Sequence, residues 1–164
     1  MFHAPRGVAF YRAGAPAADD VGSGRAAGRG VPVTAAPLAD DELRARYHEL
    51  FGRLDEVEPH VHAYLPEPGR RERVLRELDT LLARYPDPSG RPPLFALPLG
   101  VKDIFRADGF ETRAGSALPP ELFAGAEAAS VTRLRAAGAI VVGKTVTTEF
   151  AYFQPGPTGN PWNP

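Results

Sequence analysis

The chain has 164 residues, of which 43% are hydrophobic, and it carries a formal net charge of −1 with a pI near 6.4. A chain of this length can bury one modest hydrophobic core. The nearly balanced charge gives no signal for binding to nucleic acid or to an anionic membrane surface. The sequence has no cysteine, which excludes disulfides, thiolate catalysis and cysteine-based zinc sites.

Neither a membrane-spanning segment nor a secretory signal is evident in the sequence. No run of 18 apolar residues occurs, and the first residues lack the apolar core of a signal peptide. We therefore expect a cytoplasmic protein. Residues 1–38 are rich in Gly, Ala, Pro and Arg without helical or strand periodicity, which predicts a disordered or flexible arm. Residues 39–164 are expected to form the folded domain.

Two amphipathic helices are predicted at the start of this domain. The first begins near Asp40 and is expected to end at Pro59; its apolar stripe consists of Leu43, Tyr47, Leu50, Phe51, Leu54 and Val57. The second covers residues 69–83, with Val74, Leu75, Leu78, Leu81 and Leu82 facing inward. Between them, residues 60–64 alternate like a short strand, which would place His60 and His62 on one face. No third metal ligand is evident, so we interpret both histidines as solvated.

A strand, a helix and a second strand are predicted in the second half of the chain. Phe95, Leu97, Leu99 and Val101 alternate with small residues up to Lys102, which predicts a strand with one apolar face. Helical spacing from Glu127 to Ala137 ends at Gly138, and the apolar run of residues 139–142 predicts a buried strand. This order favours an α/β unit with parallel strands.

Lys102 is the residue with the clearest chemical potential. Only Lys102 and Lys144 are lysines among 19 basic residues. Lysine, unlike arginine, can lose its proton when it is desolvated, and it can then act as a base. Ile104 and Phe105 should supply apolar surface that favours the uncharged amine, and Asp103 should face away from it. This setting suits activation of a hydroxyl nucleophile; the alternative is a lysine that snorkels at a strand end.

Residues 138–145 match the P-loop pattern G-x-x-x-x-G-K-[ST]. A P-loop needs a strand before the first glycine and a helix after the threonine, so that backbone amides can surround a phosphate. Here the intervening residues are themselves the predicted strand, and a predicted helix precedes Gly138. We therefore interpret Lys144 as a strand-end lysine with a structural partner, and nucleotide binding as a disfavoured alternative.

Several short motifs follow one another in the second half of the chain. They are Gly100-Val-Lys-Asp103, the T-x-x-G-S segment at 112–116, residues 134–145, Glu149-Phe150 and the T-G-N-P segment at 158–161. In this order and spacing they resemble the opening part of the amidase signature family, which includes the A subunit of aspartyl/glutamyl-tRNA amidotransferase and many bacterial amidases. The resemblance covers residues 40–164 approximately.

The resemblance implies an α/β fold, namely the N-terminal portion of the amidase signature fold, a mixed sheet flanked by helices that is incomplete in this chain. It implies hydrolysis of carboxamide C–N bonds through a Ser-cisSer-Lys triad, with no metal or organic cofactor, and Lys102 matches the base. Ser116 matches a supporting position. Phe150, Tyr152 and Phe153 either line an acyl pocket or belong to the core.

Both serines of the family triad lie in a Gly/Ser-rich loop downstream of the T-G-N-P segment, and this sequence ends at Pro164. We therefore expect a truncated amidase, shortened by a gene boundary, a frameshift or artificially, that is inactive and marginally stable alone. The expected partners are a small-molecule amide substrate and either a complementing C-terminal fragment or amidotransferase subunits. The alternative is a non-catalytic interaction module.

Overall fold

The computed structural model describes residues 38–152 and 154–162, and this part of the chain contains three α-helices and two β-strands. They are α1 (Asp40–Val61), α2 (Arg70–Arg84), β1 (Pro98–Lys102), α3 (Ala129–Ala136) and β2 (Ile140–Thr145). The predicted flexible arm lies outside the described residues, except for residue 38. Among the described helices, none combines the length and the apolar character that crossing a membrane requires.

The two strands pair in parallel and are connected through α3, which confirms the predicted α/β unit. The register shifts once, because Leu99 lies opposite Val141 whereas Gly100 lies opposite Gly143. Val142 is therefore the extra residue of a β-bulge in β2. After the bulge, Lys102 lies opposite the last residue of β2.

Both predicted amphipathic helices form, and they share one core. The buried side chains of this core come from α1, from α2, from the turn before β1 and from β2, namely Leu43, Tyr47, Phe51, Val74, Leu78, Leu82, Ala96 and Ile140. A smaller cluster contains Val101, Ala107, Val131 and Val141. Because Ile140 belongs to the first cluster and its neighbour Val141 to the second, both faces of β2 are covered, as in a buried parallel strand.

Arg73 connects α2 to the bulge of β2 through hydrogen bonds. Its guanidinium donates hydrogen bonds to the carbonyl oxygens of Val141 and Val142, both at 3.0 Å. It also forms ion pairs with Glu67 at 2.5 Å and Glu77 at 2.8 Å. Burial disfavours the charged guanidinium, but the hydrogen bonds to both glutamates outweigh this effect, and the pKa of Arg73 is raised. The bulge carbonyls thus have a charged donor from α2.

The predicted strand is wrong over residues 95–97, because β1 begins after them. Ala96 is buried at 5% exposure and has a φ of 54°, whereas Leu97 is 45% exposed, which reverses the expected alternation. The Tyr47 hydroxyl donates to the Ala96 carbonyl at 3.1 Å, and the Ala96 N–H donates to the Gly138 carbonyl at 2.9 Å. These long-range bonds hold a turn where the local pattern favours a strand.

The predicted end of the first helix is also wrong, because Pro59 lies inside α1. A proline removes one backbone donor, which leaves the carbonyl four residues earlier without its helical partner. That carbonyl belongs to Asp55, an exposed residue, so water can bond to it. The helix ends instead at Val61 and is capped by His62, which has a left-handed φ of 52° and donates its N–H to the Glu58 carbonyl at 2.9 Å.

The short strand predicted at residues 60–64 does not form. His60 belongs to α1 and His62 caps it, so the two histidines do not share the face of a strand. Tyr64 forms only an isolated antiparallel bridge to Thr145, and its N–H donates to the Glu58 carboxylate at 2.6 Å. The segment after α1 therefore crosses the end of β2 without extending the sheet by a further strand.

The end of α1 also contacts the distal segment of the chain. The Thr158 hydroxyl donates to the His62 carbonyl at 2.8 Å, across 96 residues of sequence. The Gly159 N–H donates to the Val61 carbonyl at 2.9 Å. These two bonds attach residues 158–159 to the beginning of the domain.

Candidate active site

Lys102 is the last residue of β1, and its side chain is exposed. The neighbours on either side, Val101 and Asp103, are buried, which is the alternation of a strand. Within residues 38–152 and 154–162, the Lys102 amine has no hydrogen bond and no ion pair. Ile104 and Phe105 lie nearby in sequence but are themselves exposed. The described part of the chain therefore leaves this amine in contact with solvent, and does not itself provide the expected desolvation.

Asp103 and Lys144 form a buried ion pair next to Lys102 in sequence. Their charged atoms are 2.7 Å apart, and the two residues are only 1% and 4% exposed. The Lys144 amine also donates to the Thr112 hydroxyl at 2.8 Å and to the Glu111 carbonyl at 3.3 Å. Lys144 is therefore a strand-end lysine with a structural partner, as predicted. Asp103 faces away from Lys102, also as predicted.

Asp103 connects three parts of the site through its remaining polar atoms. Its N–H donates to the Thr145 carbonyl at 3.0 Å, at the end of β2. Its second carboxylate oxygen accepts from the Arg113 N–H at 3.1 Å, and its carbonyl accepts from the Ala114 N–H at 3.0 Å. The ends of β1 and β2 and the loop of residues 111–116 are thus joined at one residue.

Ser116 is buried at the end of this loop. Its N–H donates to the Arg113 carbonyl at 2.9 Å, and its hydroxyl oxygen accepts from the Leu118 N–H at 3.2 Å. The preceding Gly115 has a φ of 67°, and a Cβ added there would lie 2.9 Å from the Thr147 carbonyl oxygen. Glycine is therefore required for the loop to pass this close to the backbone.

Phe150 is 53% exposed and has a φ of 48°, so it is not a core residue of the described part. Its N–H donates to the Ala114 carbonyl at 2.8 Å, and its ring lies 6.2 Å from that of Phe123. Tyr152 is also exposed, and Phe153 lies outside the described residues. The structure thus places Phe150 against the loop that carries Ser116.

A cavity of about 340 Å³ lies next to this loop, whose Thr112 and Ala114 form part of its wall. Six of the eight residues that line it are apolar; the lining consists of Ile104, Phe105, Arg106, Thr112, Ala114, Leu122, Phe123 and Ala128. Neither Phe123 nor the Asp103–Lys144 pair was predicted from the sequence. The signal for the pair was present, because a lysine on a buried strand needs a nearby acid, and Asp103 follows the other predicted strand.

The P-loop alternative is wrong. Residues 140–145 form β2 and pair with β1, so they do not wrap around a phosphate. Gly138 follows α3 with a φ of 97°, which is the position of a helix stop. The Lys144 amine is buried against Asp103 and cannot extend to a nucleotide.

The described part of the chain is a mixed helix-and-strand domain. Its candidate catalytic residue is an exposed lysine at the end of a parallel strand, next to a buried ion pair. A family model described as Amidase matches residues 47–164. The chain therefore belongs to the Amidase family, which confirms the resemblance seen in its motifs.

Curated relatives and solved structures agree with this assignment. The chain is 35% identical over 136 residues to the A subunit of the Glutamyl-tRNA(Gln) amidotransferase of Synechococcus sp. (strain WH7803), covering 77% of this chain and 27% of the relative. It is 37% identical over 120 residues to the protein of the same name from Oleidesulfovibrio alaskensis, covering 72% and 24%. The chain thus spans about a quarter of the length of these relatives.

Two solved structures share the fold. One belongs to a vestigial protein complex connected with the origins of an s-triazine catabolic enzyme, in an inhibitor-bound form; it has a TM-score of 0.61 and 34% identity, covering 74% of this chain and 28% of that one. The other is the native peptide amidase from Stenotrophomonas maltophilia, with a TM-score of 0.54 and 32% identity, covering 74% and 24%. The predicted fold class, part of an amidase signature fold, is confirmed.

Proposed function

We propose that this chain supplies the general base, Lys102, of an amidase that hydrolyses carboxamide C–N bonds, and that the 164-residue chain is inactive alone. The observation that carries the proposal is the contrast between its two lysines. Lys144 is buried on a carboxylate, whereas the Lys102 amine has no acidic partner within the described residues. A lysine acts as a base only when it is uncharged, and a carboxylate beside it would favour the charged form.

In the proposed reaction, the uncharged Lys102 amine accepts a proton from a serine hydroxyl, and that serine in turn accepts the proton of the nucleophilic serine. The nucleophile attacks the amide carbonyl, the C–N bond breaks and the amine leaves with a proton, forming an ester. Water then hydrolyses the ester and restores the serine. In this proposal a complementing segment provides both serines and covers Lys102, which removes water from the amine.

The proposed substrate is a small molecule with a carboxamide group. Support comes from the structural similarity to a peptide amidase and from relatives named as amidotransferase subunits. A partner is therefore proposed as well, either a complementing C-terminal fragment or amidotransferase subunits, acting in the cytoplasm. Ser116 and Phe150 are proposed as supporting residues, because Ser116 lies on the loop fastened to Asp103 and Phe150 is bonded to that loop.

A second candidate function is a non-catalytic interaction module. It is favoured by the large apolar side chains that the described part leaves exposed, namely Leu97, Ile104, Phe105, Leu118, Leu122, Phe150, Tyr152 and Trp162. A contiguous patch of exposed apolar side chains is typical of an interaction site. This candidate predicts binding of a partner without any turnover.

The test is reconstitution with the part of the Stenotrophomonas maltophilia peptide amidase that follows the matched region. The two polypeptides are co-expressed, purified as a complex, and assayed for ammonia release from a peptide amide. We expect turnover from the complex and none from either part alone. Lys102→Ala and Lys102→Arg should each lower kcat by about 10²–10⁴-fold. Alanine lacks the amine, and arginine keeps the charge but cannot accept a proton.

The matched control is Arg44→Ala, which removes an exposed cation paired with Asp79 on the helices. This variant should keep the turnover of the unmodified complex. A folded K102R complex with unreduced kcat would overturn the role of Lys102 as base. A folded complex of the unmodified chain without turnover would favour the interaction module.

A further inference from the structure

We propose that the Asp103–Lys144 ion pair is a positioning device, which fixes Lys102 relative to the loop that carries Ser116. This inference rests on the proposed function of Lys102 as the base. Neither Asp103 nor Lys144 touches the reacting atoms in the proposal. They act through the backbone on either side of Lys102 and through the loop at 111–116.

The first reason is the burial of the pair. Two opposite charges at 1% and 4% exposure have lost nearly all contact with water. The attraction within a buried pair often fails to exceed the cost of removing both charges from water, so that apolar residues would serve stability equally well. A buried pair at this place therefore calls for a function other than general stability.

The second reason is the set of bonds that the pair makes. Lys144 holds the beginning of the loop, through the Glu111 carbonyl at 3.3 Å and the Thr112 hydroxyl at 2.8 Å. Asp103 holds its middle: its carboxylate accepts from the Arg113 N–H at 3.1 Å, and its main-chain carbonyl accepts from the Ala114 N–H at 3.0 Å. The ion pair therefore anchors three consecutive residues of the loop that leads to Ser116, and the Asp103 backbone anchors the fourth.

The third reason is the effect on Lys102 itself. Asp103 donates its N–H to the last residue of β2, and the Lys102 carbonyl accepts from the Phe105 N–H at 2.9 Å. The peptide group that joins Lys102 to Asp103 is thus held at both its carbonyl and its N–H. The distance between the Lys102 backbone and Ser116 is set through Asp103, because Asp103 is bonded to both segments.

The pair also keeps a carboxylate away from the base. The ammonium of Lys144 compensates Asp103 on the buried side of the strand, at 2.7 Å. If Lys144 were lost, Asp103 would hold an uncompensated negative charge one residue from Lys102. Such a charge favours a protonated amine nearby.

The test begins with hydrogen exchange of the unmodified 164-residue chain and of Asp103→Asn/Lys144→Met. This double variant removes both charges together and leaves an oxygen that can still accept from the Arg113 N–H. We expect the amides of residues 113, 114 and 116 to exchange about tenfold faster or more, because the loop loses its bonds to Lys144. The amides of Val74 and Leu78 in α2 should keep their protection. Lys102→Met is the matched control, and should leave all these amides unchanged.

The proposal would be overturned if the loop amides of the double variant exchanged at the wild-type rate. It would also be overturned if the amides of α2 were accelerated as much as those of the loop. The second readout is kcat and KM of the reconstituted complex. We expect the double variant to lower kcat about tenfold or more while KM changes by no more than about twofold, since substrate binding is retained. The two proposals fail in different ways. If Lys102 is not the base, the K102R complex stays active. If Lys102 is the base but the ion pair has no positioning role, the K102R complex is inactive while the double variant keeps its kcat.

Discussion

Replacing Arg73 with methionine should strongly destabilise this domain, because Arg73 is the donor from α2 to the bulge of β2. The guanidinium donates to the carbonyl oxygens of Val141 and Val142, each at 3.0 Å. Both residues are almost fully buried, at 0% and 1% exposure, so that water cannot readily replace the lost donor. Methionine retains the apolar part of the side chain, which confines the perturbation to the hydrogen bonds and the charge.

The size of the effect follows from these two bonds. A hydrogen bond from a charged donor contributes about 1.5–3 kcal/mol. The Arg73 side chain is 23% exposed, so we take the lower end and expect a loss of about 3 kcal/mol for the two bonds. Glu67 keeps Arg70 as an ion-pair partner at 3.4 Å and adds little to the loss. A typical domain has about 5–15 kcal/mol in total, so this loss is severe.

Urea unfolding followed by circular dichroism measures the change in the free energy of unfolding. Arg73→Lys should fall between the wild type and Arg73→Met, because an ammonium can reach one carbonyl but does not match both. Arg76→Met, on the exposed face of the same helix, should stay within about 0.5 kcal/mol of the wild type. If Arg73→Met were equally close to the wild type, the proposed role of Arg73 at the bulge would be refuted.

Two further substitutions test the turn before β1 and Gly138, whose carbonyl accepts a hydrogen bond from that turn. Tyr47→Phe removes a buried hydrogen bond of 3.1 Å and should cost about 1 kcal/mol at neutral pH. Burial, and secondarily Glu77, raise the pKa of Tyr47 in the folded state, so the unfolded state ionises first. The free energy of unfolding should therefore fall above about pH 10 by up to about 1.4 kcal/mol per pH unit. Tyr47→Phe should make this fall shallower. Urea titrations that gave both proteins the same dependence on pH would contradict this expectation. Gly138→Ala should lower the melting temperature by an amount equivalent to about 1–3 kcal/mol, because φ is 97° and the new Cβ would lie 2.7 Å from Pro92. Its control is Gly52→Ala in α1, where no atom lies within 4 Å; this variant should be neutral or stabilising, and an equal loss in both variants would refute the expected strain.

The sequence predicted well where one local pattern decides the structure. In α2, the apolar residues follow helical spacing, and Val74, Leu78 and Leu82 are all buried as expected. The parallel pair of strands was predictable for the same reason, since an apolar run followed a short helix that ended at Gly138. The motifs around Lys102 also led to the right family, because they occur together and in order.

Long-range contacts explain what the sequence could not reveal. The alternation at residues 95–97 is overridden by Tyr47, which lies 49 residues away and bonds to the Ala96 carbonyl. The partner of Lys144 was predicted to exist, but its identity depends on the register between β1 and β2. That register is shifted by the bulge at Val142, and no local sequence pattern predicts such a shift.

The attachment of residues 158–159 to the end of α1 has a consequence for the order of folding. The two helices α1 and α2 are neighbours in the sequence, so they can pack together early during synthesis. The bond between Thr158 and His62 spans 96 residues and must await the synthesis of everything between them. Because closing a long loop costs entropy before its contacts form, this step should be among the slowest in refolding. The helical pair can thus form at an early stage, whereas the anchoring of the distal segment comes late.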